Sequence, residues 1–163
     1  MAAATNDKTR KTGQLPLKLR AGGKTDVRTQ FGALCWRVKA GKLQVCLVTT
    51  RQSGRWIIPR GWPQHKQTPA ASAATEAWEE AGLRGQPIDY CLGAYTYVKP
   101  LKNRAAPVIV MVYPLRVTES SGVWPESHQR KRKWMRPAKA AKRVDEPGLR
   151  RILMAFDPER VPH

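Results

Sequence analysis

The sequence predicts a domain of the α/β (α+β) class, in which a mixed β-sheet is sandwiched between α-helices. Three observations lead to this prediction. Short apolar runs bounded by turn residues recur along the chain and indicate strands. A central segment has the start and stop signals of a helix, and a second helical pattern closes the chain. Strands on both sides of one helix, followed by a last helix, are typical of a sheet covered by helices.

Length and composition indicate one domain with a basic extension. The chain has 163 residues, of which 41% are hydrophobic, and this is enough for a substantial core. Residues 1–29 are polar and basic, and we expect a largely disordered tail followed by a single domain at residues 30–163. The sequence has no pattern of a secretory signal and no apolar run near the roughly 18 residues that a membrane helix needs.

The three cysteines, Cys35, Cys46 and Cys91, are dispersed along the chain. No two of them have the close spacing of a metal-binding or redox pair, and their surroundings are apolar. Reduced core thiols are typical of a reducing compartment, so the sequence predicts a cytoplasmic location.

Five segments have the composition of strands, and two later segments have that of helices. The strands are predicted at residues 31–38, 43–50, 56–58, 88–98 and 108–117. The first two form a hairpin, and the fifth is β-branched, apolar and expected to be buried. Loops are predicted at residues 51–55, 99–104 and 118–124, of which the second is basic. Helices are predicted at residues 137–144 and 147–156.

The stretch at residues 61–83 combines a glycine turn with a short helix. Thr68 suits the N-cap and Pro69 the first helical position, whereas Gly82 suits the residue just past the helix end. Gly61 follows a short apolar strand and is expected at a turn. The sequence therefore predicts a strand, a glycine loop and a helix in succession.

Glu76, Glu79 and Glu80 lie three and four residues apart in this helix, so their carboxylates share one face. A solvated acidic face and a cation site both fit this pattern. A hard divalent cation prefers oxygen ligands and leaves room for water and phosphate. The glycine loop and the capped helix around the triplet favour the cation site.

The same stretch, hereafter the box, resembles the signature of the Nudix hydrolases. That signature reads glycine, five residues, glutamate, seven residues, arginine-glutamate, an apolar residue, any residue, two glutamates, any residue, glycine and an apolar residue. The spacing is met by Gly61, Glu76, Ala77, Glu79, Glu80, Gly82 and Leu83. Two positions depart from it. Gln67 replaces the first glutamate, and Thr75 replaces the arginine that usually orients the following glutamate by an ion pair.

Shorter segments are similar to the diphosphoinositol polyphosphate phosphohydrolase branch of this family, which also acts on dinucleoside polyphosphates. These segments lie at residues 33–36, 47–50, 55–59 and 130–134. One departure is Arg60, which stands where that branch usually has a glycine. The resemblance covers about residues 30–156 and implies the predicted fold and an enzyme that hydrolyses a diphosphate linkage.

The resemblance also implies the chemistry of the site. Mg²⁺, or Mn²⁺, would neutralise the phosphoryl oxygens and acidify a bound water. All three carboxylates of the triplet are candidate metal ligands, with Glu76 and Glu80 implied most directly. Glu79 is implied as the proton acceptor for the attacking water, and Glu76 is the other catalytic candidate. Glu126, in a late loop, is a second candidate base or an extra ligand, or else an exposed loop residue.

Basic side chains in or near the loops around the box are predicted to bind substrate phosphates. Arginine grips phosphate bidentately and lysine acts as a mobile point charge, although each residue alone also fits a solvated surface charge. The candidates are Arg28, Arg55, Arg60, Lys99, Lys102, Arg104, Arg130 and Arg132. Trp62 either stacks on a base or covers the helix, and covering is favoured.

Two other classes of function stay open. The departures at Gln67 and Thr75 also suit an inactive or regulatory module that binds polyphosphate or RNA. The net charge of +18 attracts polyanions in general, but the basic segment at residues 128–143 has only Trp134 as a stacking residue. A small-molecule polyphosphate is therefore the predicted partner and nucleic acid the second choice. Neither the exact substrate nor the oligomeric state follows from the sequence.

Overall fold

Eight strands form one mixed sheet in the computed structural model, which describes residues 14, 16, 17 and 28–163. The strands are β1 (Arg28–Lys39), β2 (Lys42–Thr49), β3 (Trp56–Ile57), β4 (Arg60–Gly61), β5 (Leu83–Pro87), β6 (Gly93–Leu101), β7 (Arg104–Ser120) and β8 (Arg132–Met135). The helices are α1 (Pro69–Ala81), α2 (Pro137–Arg143) and α3 (Pro147–Ala155), followed by a short 3-10 helix at Pro158–Arg160. Within this described part, no helix is long and apolar enough to cross a membrane.

The two long strands β1 and β7 form the centre of the sheet. They pair in parallel, from Arg28 opposite Val108 to Trp36 opposite Arg116. The sheet order is β3-β2-β1-β7-β5, with β4 on β1, β6 on β7 and β8 on β2, and these other pairs are antiparallel. A parallel pair needs a crossover connection, and the crossover from β1 to β7 contains α1.

Alternation along the strands divides the buried side chains into two layers. In β1, Leu34 and Trp36 join the layer under α2 and α3, whereas Ala33 and Cys35 join the layer under α1. Because helices cover both faces, the central strands are apolar throughout rather than alternately polar. The predicted mixed sheet between helices is thereby confirmed.

The predicted start and end of α1 are confirmed in detail. Thr68 Oγ1 accepts a hydrogen bond from Ala71 N at 3.1 Å, and Pro69 opens the helix. Gly82 ends it in the left-handed conformation, with φ of 66°, and its N–H donates to Trp78 O at 2.9 Å. Small side chains let the helix lie close to the sheet. These are Ala70, Ala73, Ala77 and Ala81.

Several predicted boundaries are wrong in the segment after α1. The strand predicted at residues 88–98 begins only at Gly93, and the polar segment Leu83–Pro87 forms β5 instead. The predicted loop at residues 99–104 is a tight hairpin in which Leu101 pairs with Arg104. β7 also runs through residues 118–120, where a loop is predicted. Pairing with β7 creates these strands, and their own sequences carry little apolar alternation.

Two short strands near the box also escape sequence prediction. Gly61, expected at a turn, lies in β4 and pairs with Phe31 of β1. The basic segment Arg132–Met135 forms β8 on the edge of β2, with Cys46 opposite Trp134. Both strands are stabilised by a neighbour that is distant in sequence, so local composition does not reveal them.

The sheet begins two residues before the predicted domain boundary, because Arg28 and Thr29 already pair with β7. Most of the predicted tail, at residues 1–13, 15 and 18–27, lies outside the described residues. Leu17 is described and exchanges two backbone hydrogen bonds with the loop before α1. Its N–H donates to Gln67 O at 3.0 Å, and its carbonyl accepts from Lys66 N at 3.1 Å.

Gly82 provides a test of how the end of α1 is built. An added Cβ would meet the Trp124 ring at 2.8 Å, and the positive φ disfavours any residue with a side chain. We expect Gly82→Ala to lower the free energy of unfolding by roughly 1–3 kcal/mol in urea denaturation. Gly122→Ala is the matched control, since a Cβ there meets nothing within 4 Å. Equal stability of the two variants would contradict this account.

Candidate active site

The carboxyl end of α1 is held by the loop that precedes β8. Helix ends leave several carbonyl groups without a helical partner. The loop supplies donors for three carbonyl groups at this end, and Arg132, the first residue of β8, supplies a donor for a fourth. The hydrogen bonds are Glu126 N to Glu79 O at 3.1 Å, Trp124 Nε1 to Glu80 O at 3.0 Å, Arg132 Nη1 to Ala81 O at 2.6 Å and Ser121 N to Gly82 O at 2.9 Å. The same contacts place Glu126 and Arg130 beside the carboxylate triplet.

An open cleft of about 940 Å³ lies at this end of the helix. It brings together the three predicted carboxylates of the box with Glu126 and with four of the predicted basic residues. The charged residues that line it are Glu76, Glu79, Glu80, Glu126, Arg51, Arg55, Arg60, Lys99 and Arg130. An acidic floor with basic walls is suited to a phosphate ligand that arrives with a metal ion.

Glu76 is packed beneath the box glycine and is only 8% exposed. A Cβ on Gly61 would overlap the Glu76 carboxylate, so only glycine leaves room for it in this position. The Gln64 side-chain amide donates to Glu76 Oε1 at 3.5 Å. Burial, together with the nearby charge of Glu79, raises the pKa of Glu76 to about 7.

Glu80 is 5% exposed and is held from two sides. The backbone N–H of Arg60 donates to Oε2, and Arg130 Nη2 donates to Oε1, both at 3.3 Å. Burial raises the pKa of Glu80 to about 8, even though Arg130 acts in the opposite direction. For both Glu76 and Glu80, the positive charge nearby is too small to offset the cost of burying a carboxylate.

Arg130 joins the helix to the late loop. Its Nη2 is 3.3 Å from Glu80 and 3.3 Å from Glu126, and its Nη1 donates to Thr49 O at 3.0 Å. Its side chain is 8% exposed. The guanidinium group thus forms ion pairs with two carboxylates, and it fixes Glu126 at the edge of the cleft.

The other basic candidates divide by position. Arg55, Arg60 and Lys99 line the cleft with Arg130, whereas Arg28, Lys102, Arg104 and Arg132 do not. Arg132 donates a hydrogen bond to Ala81 O at the end of α1, and its guanidinium group stacks on Trp124. These two contacts explain the position of the side chain without any contact to a substrate.

Trp62 lines the cleft and also packs against the core. Cations lie over its ring, with Arg28 at 5.6 Å and Lys99 at 5.1 Å from the centroid. The core layer that it packs against is the one under α2 and α3, whereas the favoured prediction has Trp62 covering the helix of the box. Through this ring, Arg28 is tied to the edge of the site although it does not line the cleft.

The two departures from the family signature contact each other. Thr75 Oγ1 donates to Gln67 Oε1 at 3.1 Å and also lies 3.1 Å from Ala71 O. A neutral hydrogen bond thus joins the two positions where the family signature has an acid and a base. The two substitutions form a matched pair.

The donor set suits a hard divalent cation. Two buried carboxylates with raised pKa values lie at the negative end of a helix dipole, where a cation is favourable. Among the described residues, no three Asp, Glu, His or Cys side chains converge closely enough to form a complete cluster. Mg²⁺ commonly uses one or two carboxylates and completes its shell with water and phosphate, so the residues present fit it.

The fold and this cleft are those of a Nudix hydrolase domain. Residues 28–156 match the family model described as the NUDIX domain, and the chain belongs to that family. Hydrolases among its relatives mark it as an enzyme that acts on phosphoanhydride bonds.

Two curated relatives illustrate the match. Nudix hydrolase 21, chloroplastic, of Arabidopsis thaliana is 29% identical over 79% of the chain and 66% of its own length. The human diphosphoinositol polyphosphate phosphohydrolase 3-beta is 30% identical over 71% of the chain and 68% of its own length. The chain thus spans about two thirds of these relatives.

A solved structure supports the fold alone. The C. elegans Ap4A hydrolase superposes with a TM-score of 0.57 at 21% identity, over 79% of this chain and 95% of that one.

Gly61→Ala tests the packing of Glu76. The added methyl group must displace the carboxylate, and a misplacement of about 1 Å at a reacting centre can cost about 10²-fold in rate. We expect turnover to fall by that order while circular dichroism and unfolding stay close to wild type. Gly122→Ala serves as the control, and an equally small effect of both variants would contradict the assignment.

The paired departures can be tested by a double-mutant cycle. Gln67→Glu and Thr75→Arg should each be unfavourable alone, because each places one unpaired charge in the contact. Together they form an ion pair, so we expect a favourable coupling of at least about 0.5 kcal/mol in urea unfolding. Additive effects of the two substitutions would show that the contact is not an energetic unit.

Proposed function

We propose that this enzyme is a Mg²⁺-dependent hydrolase, with Mn²⁺ as an alternative ion, that cleaves a diphosphate linkage in diphosphoinositol polyphosphates or dinucleoside polyphosphates. The observation that carries the proposal is the pair of buried carboxylates, Glu76 and Glu80, at the floor of a cleft with arginine in its walls. Burial of two acids side by side is costly unless a cation joins them.

Glu76 and Glu80 would hold the ion. When bound, the ion supplies neutralisation of the phosphoryl oxygens and a more acidic water. Gly61 and Gln64 keep Glu76 in place, whereas Arg130 and the Arg60 backbone orient Glu80. These contacts reduce the reorganisation that the carboxylates need before reaction.

Glu79 is the proposed proton acceptor for the attacking water. It is partly exposed, it lies three residues after Glu76 and directly before Glu80, and it lines the cleft. Glu126 is the second candidate, because Arg130 holds it within the same site. A base in either position needs to reach the water at about hydrogen-bonding distance.

Arg55, Arg60 and Lys99 are proposed to bind substrate phosphates. All three line the cleft, and arginine matches phosphate geometry with two parallel hydrogen bonds. The net charge of +18 adds a long-range attraction for highly phosphorylated substrates. Names of curated relatives, among them three human diphosphoinositol polyphosphate phosphohydrolases, favour such substrates over small diphosphates.

We propose that residues 30–163, extended to Arg28 by β1, act as a single domain. Cys35 and Cys46 are free and buried as predicted, whereas Cys91 is free but exposed, so the prediction of a core thiol is wrong for Cys91. Three free thiols support the predicted cytoplasmic location. The second candidate function is a regulatory polyphosphate- or RNA-binding module without activity. The observation in its favour is that Arg130 already occupies the space beside Glu80 and Glu126.

Glu79→Gln and Glu80→Gln separate the two functions. Each removes charge and basicity but keeps shape, so we expect turnover to fall by on the order of 10²-fold or more with the fold intact. The measurement is phosphate release from diphosphoinositol and dinucleoside polyphosphates, with and without Mg²⁺. Glu80→Gln should also reduce the rise in melting temperature that Mg²⁺ causes.

Glu119→Gln is the control, because this exposed residue on β7 loses the same charge outside the cleft. A wild-type protein that binds these compounds without hydrolysing any of them would support the module. Near-normal turnover of both triplet variants at saturating Mg²⁺ would overturn the assignment of the site.

A further inference from the structure

Arg60 occupies a binding pocket of its own. Its side chain is 8% exposed, although arginine is rarely buried without partners. The guanidinium group lies over the Tyr97 ring at 3.8 Å, and Nη1 donates to Tyr95 Oη at 3.1 Å. Tyr97 is itself fixed, because its hydroxyl donates to Gln30 Oε1 at 2.9 Å. The pocket therefore holds the group on one face and at one end.

Glu146 completes this pocket from the start of α3, a segment that the sequence does not single out. Its side chain is 7% exposed, and neither carboxylate oxygen has a hydrogen-bond partner among the described residues. Its Oε1 instead lies 3.9 Å from Arg60 Nη1 and 3.8 Å from Arg55 Nη1. A buried carboxylate without hydrogen bonds is rare in proteins and calls for an explanation.

The explanation lies in the two arginines that share this carboxylate. Arg55 and Arg60 both line the cleft that contains the triplet, and Glu146 does not line it. Glu146 thus stands behind two cleft-lining guanidinium groups and lowers the cost of burying Arg60. Burial alone would lower the pKa of Arg60, but Tyr95, Tyr97 and Glu146 outweigh it and raise the pKa, so the charge is retained.

The contacts of Arg60 leave part of the group for a ligand. Within the described part of the chain, its side-chain hydrogen bond and ion pair both use Nη1. Arginine carries five N–H donors in a planar fork, so Nε and Nη2 are available for an anion. Arg55 is 44% exposed and adds a second positive charge toward the solvent.

We propose that Arg60 and Arg55 recognise a further phosphate of the substrate, beyond the diphosphate being cleaved, and that Glu146 is the positioning residue that orients both. The enzyme would then select substrates with at least three phosphates. This inference rests on the proposed function, because it concerns the substrate of the same cleft. It gives a reason for arginine at a position where glycine is usual in the branch that the chain resembles.

Diadenosine diphosphate and diadenosine tetraphosphate test the inference, since they share their ends and differ in phosphate number. We expect wild type to prefer the tetraphosphate through a lower KM. Arg60→Gln should raise the KM for the tetraphosphate by on the order of 10-fold, the loss of one charged hydrogen bond. The KM for the diphosphate should rise by a clearly smaller factor, so that the preference for the tetraphosphate shrinks.

Glu146→Gln should give the same pattern with a smaller rise in KM, because both arginines remain but lose their orientation. A merely structural role for Glu146 would instead lower stability and affect both substrates alike. Arg60→Lys keeps the charge and loses the planar fork, so it should resemble Arg60→Gln for the tetraphosphate. If Glu146→Gln fails to fold, Arg60→Lys still tests whether the planar guanidinium group recognises the further phosphate. Glu119→Gln is again the matched control.

The two proposals fail in different ways. If wild type hydrolyses neither these two compounds nor a diphosphoinositol polyphosphate in Mg²⁺, the proposed function is in error. Calorimetric binding of the two compounds in Mg²⁺ then tests the pocket by itself. If wild type is active but Arg60→Gln and Glu146→Gln change both KM values equally, or neither, the inference is overturned and the proposed function stands.

Discussion

The site depends on the capping of the carboxyl end of α1 by the loop before β8. Four successive carbonyl groups of the helix end accept hydrogen bonds from that loop and from Arg132 at the start of β8. Carbonyl groups are strong, obligatory acceptors that would otherwise require water. The capping fixes the last turn, which carries Glu79 and Glu80. It also brings in Glu126 and Arg130 from about fifty residues away in sequence. Without it, the triplet would be the frayed end of a short helix.

The position of Glu76 and Glu80 near the carboxyl end of α1 leaves the site with an excess of negative charge. Two carboxylates are buried where the helix dipole is already negative, and among the described residues Arg130 is the one basic side chain that forms an ion pair with either of them. Burial is the main cause of the raised pKa values of Glu76 and Glu80, and neighbouring carboxylates add to it. In structural terms, the fold places negative charge where a divalent cation and phosphate together can neutralise it.

Part of the large positive charge belongs to arginines that have a structural role. Many arginines serve the fold itself by stacking on indole rings. Arg84 lies over Trp78 at 3.8 Å, Arg37 over Trp134 at 4.0 Å and Arg132 over Trp124 at 4.2 Å. Such contacts stabilise the edges of the sheet and the end of α1. The four arginines that line the cleft, Arg51, Arg55, Arg60 and Arg130, each lie within ion-pair distance of a carboxylate. Net charge alone therefore overstates the surface available to a polyanion.

The sequence by itself determined the features that depend on residues close together in the chain. The caps and length of α1, the shared face of its glutamates, the first hairpin, the buried strand β7 and the two last helices all follow from periodicity and terminal signals. Tertiary structure decided the rest. β4, β5 and β8 exist through strand partners distant in sequence, and Arg132 became a helix cap because β8 points it at α1. Glu146 lies beside Arg60 because α3, which it precedes, packs against β6. Sequence spacing specifies which side chains share an element, whereas long-range pairing specifies which elements meet, and no local pattern encodes that second step.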